Sequence, residues 1–103
     1  MDIIYFGNGL RGLHCLEILL EKKYNIIAIV GHVGDSDVVK LGLKHKINTF
    51  KPRKVNENSF VSKLRGYSSD LFVLAGYNQI LKKDLINVPM LGAFNLHGGK
   101  LPE

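Results

Sequence analysis

Near the end of the chain, Asn95 and His97 bracket Leu96 at the carboxyl end of a short run, Ala93–Leu96, that reads as a β-strand. Side chains along a strand alternate between its faces, so residues 95 and 97 are expected to project together while Leu96 points into the core. An asparagine amide donates hydrogen bonds to an oxygen that is gaining negative charge. An imidazole, with an ordinary pKa of about 6.5, exchanges a proton with an amine at neutral pH. This pairing suits the addition of an amine to a carbonyl group. Gly98-Gly99 would then let a loop pass close to a substrate, and Leu101-Pro102 would stiffen its exit.

A second constellation lies at the other end. Gly7-Asn8-Gly9-Leu10-Arg11-Gly12 spells G-x-G-x-x-G, directly after an apolar strand and directly before a helix. Glycines there let the backbone approach an anion, and the free N–H groups of the helix point at it. A dinucleotide site would also place an acid at the end of the second strand, about 20 residues on, to hold a ribose. That stretch reads Val30-Gly31-His32-Val33, with Asp35 displaced into the next turn. Three readings stay open: a tight structural turn, a site for an anionic substrate, or a nicotinamide cofactor.

The elements that must carry these groups alternate in kind. Asp2–Phe6 reads as a buried strand. Leu13, Leu16 and Leu20 mark one face of a helix over roughly residues 10–22. Ile26–Val30 is a second strand. Asp35 or Ser36 is placed to cap a helix running to Lys44. Ile47–Phe50 is a third strand, ended by Pro52. Asn56 or Asn58 is placed to cap a helix to Arg65, with Gly66 stopping it. Leu71–Ala75, a short helix over Ile80–Asn87 and the strand Ala93–Leu96 follow. This order implies an α/β, Rossmann-like fold: a mostly parallel sheet with helices on both faces, because each parallel crossover needs a helix. The sheet is expected to be incomplete at its C-terminal end, since no helix follows the fifth strand to cover it.

Composition bounds the functions available. At 103 residues, 46% apolar and 22% charged, the chain is one globular domain and not a disordered one. Its longest apolar runs are far shorter than the roughly 20 residues of a membrane helix, and Met1-Asp2-Ile3-Ile4 lacks the basic start of a secretory signal. One cysteine, Cys15, excludes an internal disulfide and reads as a small buried hydrophobe. These features place the protein in the cytoplasm, away from membranes. Fourteen Lys and Arg against nine Asp and Glu give a net charge of +5, scattered in pairs such as Lys22-Lys23 and Lys82-Lys83. That pattern solvates helix ends and favours anionic ligands without singling out nucleic acid. His14, His32 and His45 stand apart from other metal-ligating groups, so no metal site is expected, and Asp84 reads as solvated.

The segment Asn95-Leu96-His97-Gly98-Gly99-Lys100-Leu101-Pro102 resembles the N-x-H followed by L-P signature of the formyltransferases that use 10-formyltetrahydrofolate. That family includes methionyl-tRNA formyltransferase, glycinamide ribonucleotide transformylase and sugar-nucleotide N-formyltransferases. The resemblance extends upstream. Asp70–Ala75 with Gly76-Tyr77-Asn78-Gln79-Ile80-Leu81 looks like the family's fourth strand and G-[FY]-x-x-I-L loop, and Val88–Phe94 like its approach to the catalytic strand. The Asn-Leu-His-Gly-Gly-Lys-Leu-Pro wording is nearest to the sugar-formylating branch.

The resemblance implies that Asn95 and His97 are catalytic, Asn95 holding the formyl oxygen and His97 stabilising that oxyanion or moving the amine's proton. It implies a pterin pocket lined by Leu74, Gly76, Tyr77, Asn78, Gln79, Ile80, Leu81 and Leu85, with Tyr77 either packed on the pterin or capping the sheet edge. It places an amine acceptor, phosphate-bearing, near Gly7, Asn8 and Gly9. A sugar-nucleotide amine comes first and methionyl-tRNA next, nucleic acid being a partner only in the second case. The family's third catalytic group is an aspartate further downstream, and Glu103, six residues after His97, does not match it. Residues 1–103 thus read as the N-terminal part of a catalytic domain, weak or inactive alone, that needs a C-terminal half or another subunit. The rival readings are a dinucleotide-binding half-domain and a non-catalytic fragment serving as a binding module.

Overall fold

A computed structural model describes residues 1–96 and 99–100, the last two by their backbone. The chain runs β1 (Asp2–Gly7), α1 (Gly9–Glu21), β2 (Asn25–Val30), α2 (Asp37–Lys44), β3 (Asn48–Phe50), α3 (Asn58–Arg65), β4 (Leu71–Ala75), α4 (Lys83–Ile86), β5 (Ala93–Asn95) and β6 (Gly99–Lys100). The strands lie in the order β3-β2-β1-β4-β5-β6. The first five are parallel, and β6 runs antiparallel against β5, with Asn95 opposite Gly99. The expected α/β, Rossmann-like sheet is present, with one strand more than its periodicity foretold.

Alternation along the strands builds two cores. Ile3 and Tyr5 on β1 join Leu16 of α1, Val38 of α2 and Val73 of β4 on one face. Ile4 and Phe6 join Phe60, Val61 and Leu64 of α3 and Leu85 and Ile86 of α4 on the other. Strands covered on both faces are apolar throughout, which is why β1, β2 and β4 read as continuous hydrophobic runs. At β5 the cover fails. Phe94 sits beside Val73 in the register yet is 37% exposed.

Ser36, and not Asp35, caps α2, its Oγ accepting from Val39 N at 3.2 Å. Neither Asn56 nor Asn58 caps α3; Glu57 occupies that position without a side-chain bond, and Asn58 is the first helical residue. Gly66 ends α3 at φ −63°, and the left-handed reversal falls on Ser68 at φ +52°. The helix expected over Ile80–Asn87 shrinks to Lys83–Ile86, because the Asn56 side chain takes Ile80 O and Lys82 N as partners. No helix among the described residues is long and apolar enough to cross a membrane.

Candidate functional site

The strand order reverses between β1 and β4, whose loops leave the carboxyl edge in opposite directions, and open α/β sheets bind ligands at that switch point. The two loops touch there. Asn8 N donates to Ala75 O at 3.3 Å, and Gly76, at φ +66°, stands where an added Cβ would come within 2.7 Å of Asn8 O. On the β1 side, Gly9 takes φ +68°, and a Cβ on Gly12 would meet Ala75 O at 2.9 Å. Each of these glycines has a steric reason to be a glycine, so the G-x-G-x-x-G pattern by itself needs no dinucleotide. Tyr5 OH donates to Gly12 O at 2.6 Å beneath the turn, and burial pushes its phenol well above the usual range. No side chain caps α1, which begins at this turn.

On the β4–β5 side a cleft of about 270 Å³ opens, lined by Leu74, Tyr77, Gln79, Ile80, Leu81, Ile86 and Asn95. Leu74, Leu81 and Ile86 form its buried wall, whereas Ile80 is 84% exposed and forms a rim. Tyr77 stands edge-on to Phe6, ring centroids 5.4 Å apart, and burial pushes its phenol up to about 12. It is therefore a neutral hydroxyl at physiological pH. Asn95 enters the cleft because it alternates with Phe94 on β5, beside Leu74 in the register, and Leu96 N donates to Leu74 O at 2.9 Å just beyond. An apolar, partly aromatic wall with the carboxamides of Gln79 and Asn95 in its lining suits a flat heterocycle carrying a reactive carbonyl.

Of the cleft residues anticipated from the resemblance, Leu74, Tyr77, Gln79, Ile80 and Leu81 do line it. Leu85 does not. It is fully buried in the α3/α4 core, and Ile86, the next residue of the single-turn α4, faces the cleft instead. Gly76 and Asn78 are exposed outside the lining, Gly76 belonging to the contact with Asn8. Leu96 does not point into the core. It follows β5 in a turn, where strand alternation has ended, and is 53% exposed. The anticipated catalytic His97 lies outside the described residues, as do Gly98 and the segment Leu101-Pro102-Glu103.

Ile86 in the lining and Asn56 beside it carry no sequence signal for this site. Ile86 is hidden among core-type residues, with no pattern to mark it. Asn56, read as a helix cap, instead donates Nδ2 to Ile80 O at 2.7 Å and accepts from Lys82 N at 2.8 Å. Gln79 answers it, accepting from Val55 N at 2.9 Å and donating to Pro52 O at 3.1 Å. Partners more than 20 positions apart leave no local signal.

Among the described residues, Tyr77 is the one titratable side chain that lines the cleft. His14 and His45 are exposed, and no cluster of three metal-ligating side chains exists among the described residues. Asp35, the acid nearest the end of β2, is exposed and held by Lys40 Nζ at 2.8 Å, a bond that lowers its pKa. It is thus engaged with a cation on the first turns of α2.

Residues 18–103 match the family described as Formyl transferase. The chain is 33% identical over 112 residues to the methionyl-tRNA formyltransferase of Ruminiclostridium cellulolyticum, covering 99% of this chain and 36% of that protein. It is 32% identical over 111 residues to the bifunctional polymyxin resistance protein ArnA of Wigglesworthia glossinidia brevipalpis, covering 100% of this chain and 17% of that one. Among solved structures, the phosphoribosylglycinamide formyltransferase of Bacillus halodurans superposes with a TM-score of 0.74 at 17% identity, over 92% of this chain and 55% of that chain. That likeness establishes a shared fold. The chain spans about a third of the length of its methionyl-tRNA formyltransferase relatives.

Proposed function

Because the chain belongs to the formyl transferase family, we propose that residues 1–103 form the N-terminal part of a catalytic domain that moves a formyl group from 10-formyltetrahydrofolate to an amine. The observation that carries this reading is the cleft itself, where Tyr77 and the aliphatic wall face Asn95 at the tip of β5. Its 270 Å³ is at the small end of ligand pockets and suits the bicyclic head of the donor, the rest lying outside.

In the proposed reaction the donor supplies an activated formyl carbon. The acceptor amine adds to that carbon, Asn95 donates to the oxygen that becomes negative, and His97 relays the amine's proton to the departing folate nitrogen. The C–N bond to the folate then breaks, releasing tetrahydrofolate and the N-formyl product. The uncapped start of α1 at Gly7, Asn8 and Gly9 receives an anionic portion of the acceptor. A sugar-nucleotide amine is the favoured acceptor, on the wording of residues 95–102. The second reading, methionyl-tRNA, is favoured by likeness to relatives of that name. The remaining catalytic group would come from a C-terminal half or another subunit.

The first test is ligand choice. 5-Formyltetrahydrofolate should raise the melting temperature of the chain and NAD(H) should not; the opposite pattern would favour the dinucleotide reading. The second is chemistry in the full-length protein, assayed with each acceptor in turn. Asn95→Ala should lower turnover by about 10²–10³, the usual effect of losing one oxyanion donor. His97→Ala should abolish formylation with folding intact, and wild-type turnover in that variant would remove His97 from the mechanism.

A further inference from the structure

Two carboxamides reach across the same gap in opposite directions. Gln79, on the loop after β4, accepts from Val55 N and donates to Pro52 O, at 2.9 and 3.1 Å. Asn56, on the connection between β3 and α3, donates to Ile80 O and accepts from Lys82 N, at 2.7 and 2.8 Å. Each amide thus uses a donor and an acceptor, and four hydrogen bonds join residues 52–56 to residues 79–82. Val55, at the centre, is fully buried, so its N–H has no access to water as a substitute partner.

This brace stands directly behind the cleft. Gln79 and Ile80 line it and Leu81 forms part of its buried wall, yet Ile80 is 84% exposed and has little packing of its own to fix it. Its backbone is located by the Asn56 amide bonding its carbonyl. The Gln79 amide is engaged by Val55 N and Pro52 O, with the Tyr77 hydroxyl 3.5 Å from its Nε2. A cleft held in shape before the ligand arrives avoids the ordering cost of closing a loose loop on it.

We infer that Asn56 and Gln79 form a reciprocal amide clamp that pre-shapes the donor cleft, acting as positioning residues for formyl-donor binding. The inference rests on the reading of that cleft as the folate site. Both groups are neutral amides, so the clamp is indifferent to pH across the physiological range. Gln79→Glu changes this. The introduced carboxylate still accepts from Val55 N–H but confronts Pro52 O with no donor, until protonation restores an O–H. Around it stand Lys54, Glu57 and Lys82, which line the adjoining hollow with Asn56, and the Tyr77 hydroxyl, 3.5 Å from Gln79 Nε2.

The test combines calorimetric titration of 5-formyltetrahydrofolate with amide hydrogen exchange on the same variants. Asn56→Ala and Gln79→Ala should each weaken binding about tenfold, and the double variant should lose less than the product of the two, because both brace one segment. Gln79→Glu should bind weakly at pH 7 and recover relative to the wild type only as pH falls into the ordinary glutamate range, about 4.3, a response that a merely space-filling side chain would not give. In Gln79→Ala, the Lys82 amide, which Gln79 does not touch, should exchange faster while the β1 and β4 amides stay protected. Wild-type affinity in both alanine variants, or no recovery of Gln79→Glu relative to the wild type at low pH, would overturn the inference. Should the wild-type chain itself not bind the folate, the proposed function falls. The clamp is then decided by exchange, an unchanged Lys82 amide in Gln79→Ala refuting it.

Discussion

At the end of β1 the backbone is placed by missing side chains: Gly9 turns through φ +68° and Gly12 brings α1 within a Cβ's reach of Ala75 O. Beyond β4 the opposite device operates, with the loop over residues 79–82 suspended from the amides of Gln79 and Asn56. The two flanks of one switch point therefore fail in different ways. The glycine flank is damaged by adding an atom and tolerates almost no change of shape. The amide flank is damaged by removing a hydrogen bond, and it can relax locally because its segments are partly exposed. A glycine turn fixes the backbone itself, while an amide-braced loop fixes a wall whose side chains are free to differ.

The largest effect should come where the flanks meet. Gly76 combines φ +66° with a Cβ position only 2.7 Å from Asn8 O, a backbone atom that cannot swing aside. Gly76→Ala adds left-handed strain to overpacking, together about 3 kcal/mol. For a domain of this size that lowers the melting temperature by about 12–24 °C. A fall of only a few degrees would mean that the two loops part easily and that the switch point is not one rigid unit.

Gly9→Ala separates conformation from contact. The turn has the same left-handed φ, +68°, but nothing lies within 4 Å of the added Cβ. Only the strain remains, partly offset by a stiffer unfolded chain, for a net loss of about 1 kcal/mol read from denaturant unfolding. If Gly9→Ala matched Gly76→Ala, φ alone would control this flank and the packing against Asn8 O would count for nothing.

These contrasts also explain which parts of the molecule were legible from residue types. Ile3–Phe6, Ile26–Val30 and Leu71–Ala75 announce buried strands, because a strand covered on both faces must be apolar at every position. Gly7–Gly12 announces a tight strand-to-helix turn because the steric demand is local. Asn95 lines the cleft as strand alternation predicts, whereas Leu96 departs from the same rule because β5 ends one residue earlier than the apolar run suggests. Asn56, like Asn58, reads locally as a helix cap, the commonest use of an asparagine before a helix, because its partners at Ile80 and Lys82 are distant in sequence. Leu85 and Ile86 are indistinguishable by type, and only the direction of a single helical turn decides which one meets the cleft.

The smallest effect sharpens the amide flank from its aromatic side. The Tyr77 phenol is raised from 10.0 to about 12 by burial, so the neutral form is favoured in the folded state. A raised folded pKa contributes stability that is complete below the unfolded value of 10.0 and is lost as pH climbs from there through about 12. Tyr77→Phe keeps the ring against Phe6 and removes the ionising hydroxyl, with its long 3.5 Å contact to Gln79 Nε2. At pH 7 the variant should unfold within about 1 kcal/mol of the wild type, since one hydrogen bond of modest geometry is lost. Between pH 10 and about 12 its stability should fall less steeply than that of the wild type, leaving Tyr5 as the buried phenol still opposing ionisation. Parallel stability curves for the two proteins over that range would mean that Tyr77 reaches solvent freely, and that the cleft wall it forms is looser than the glycine turn across from it.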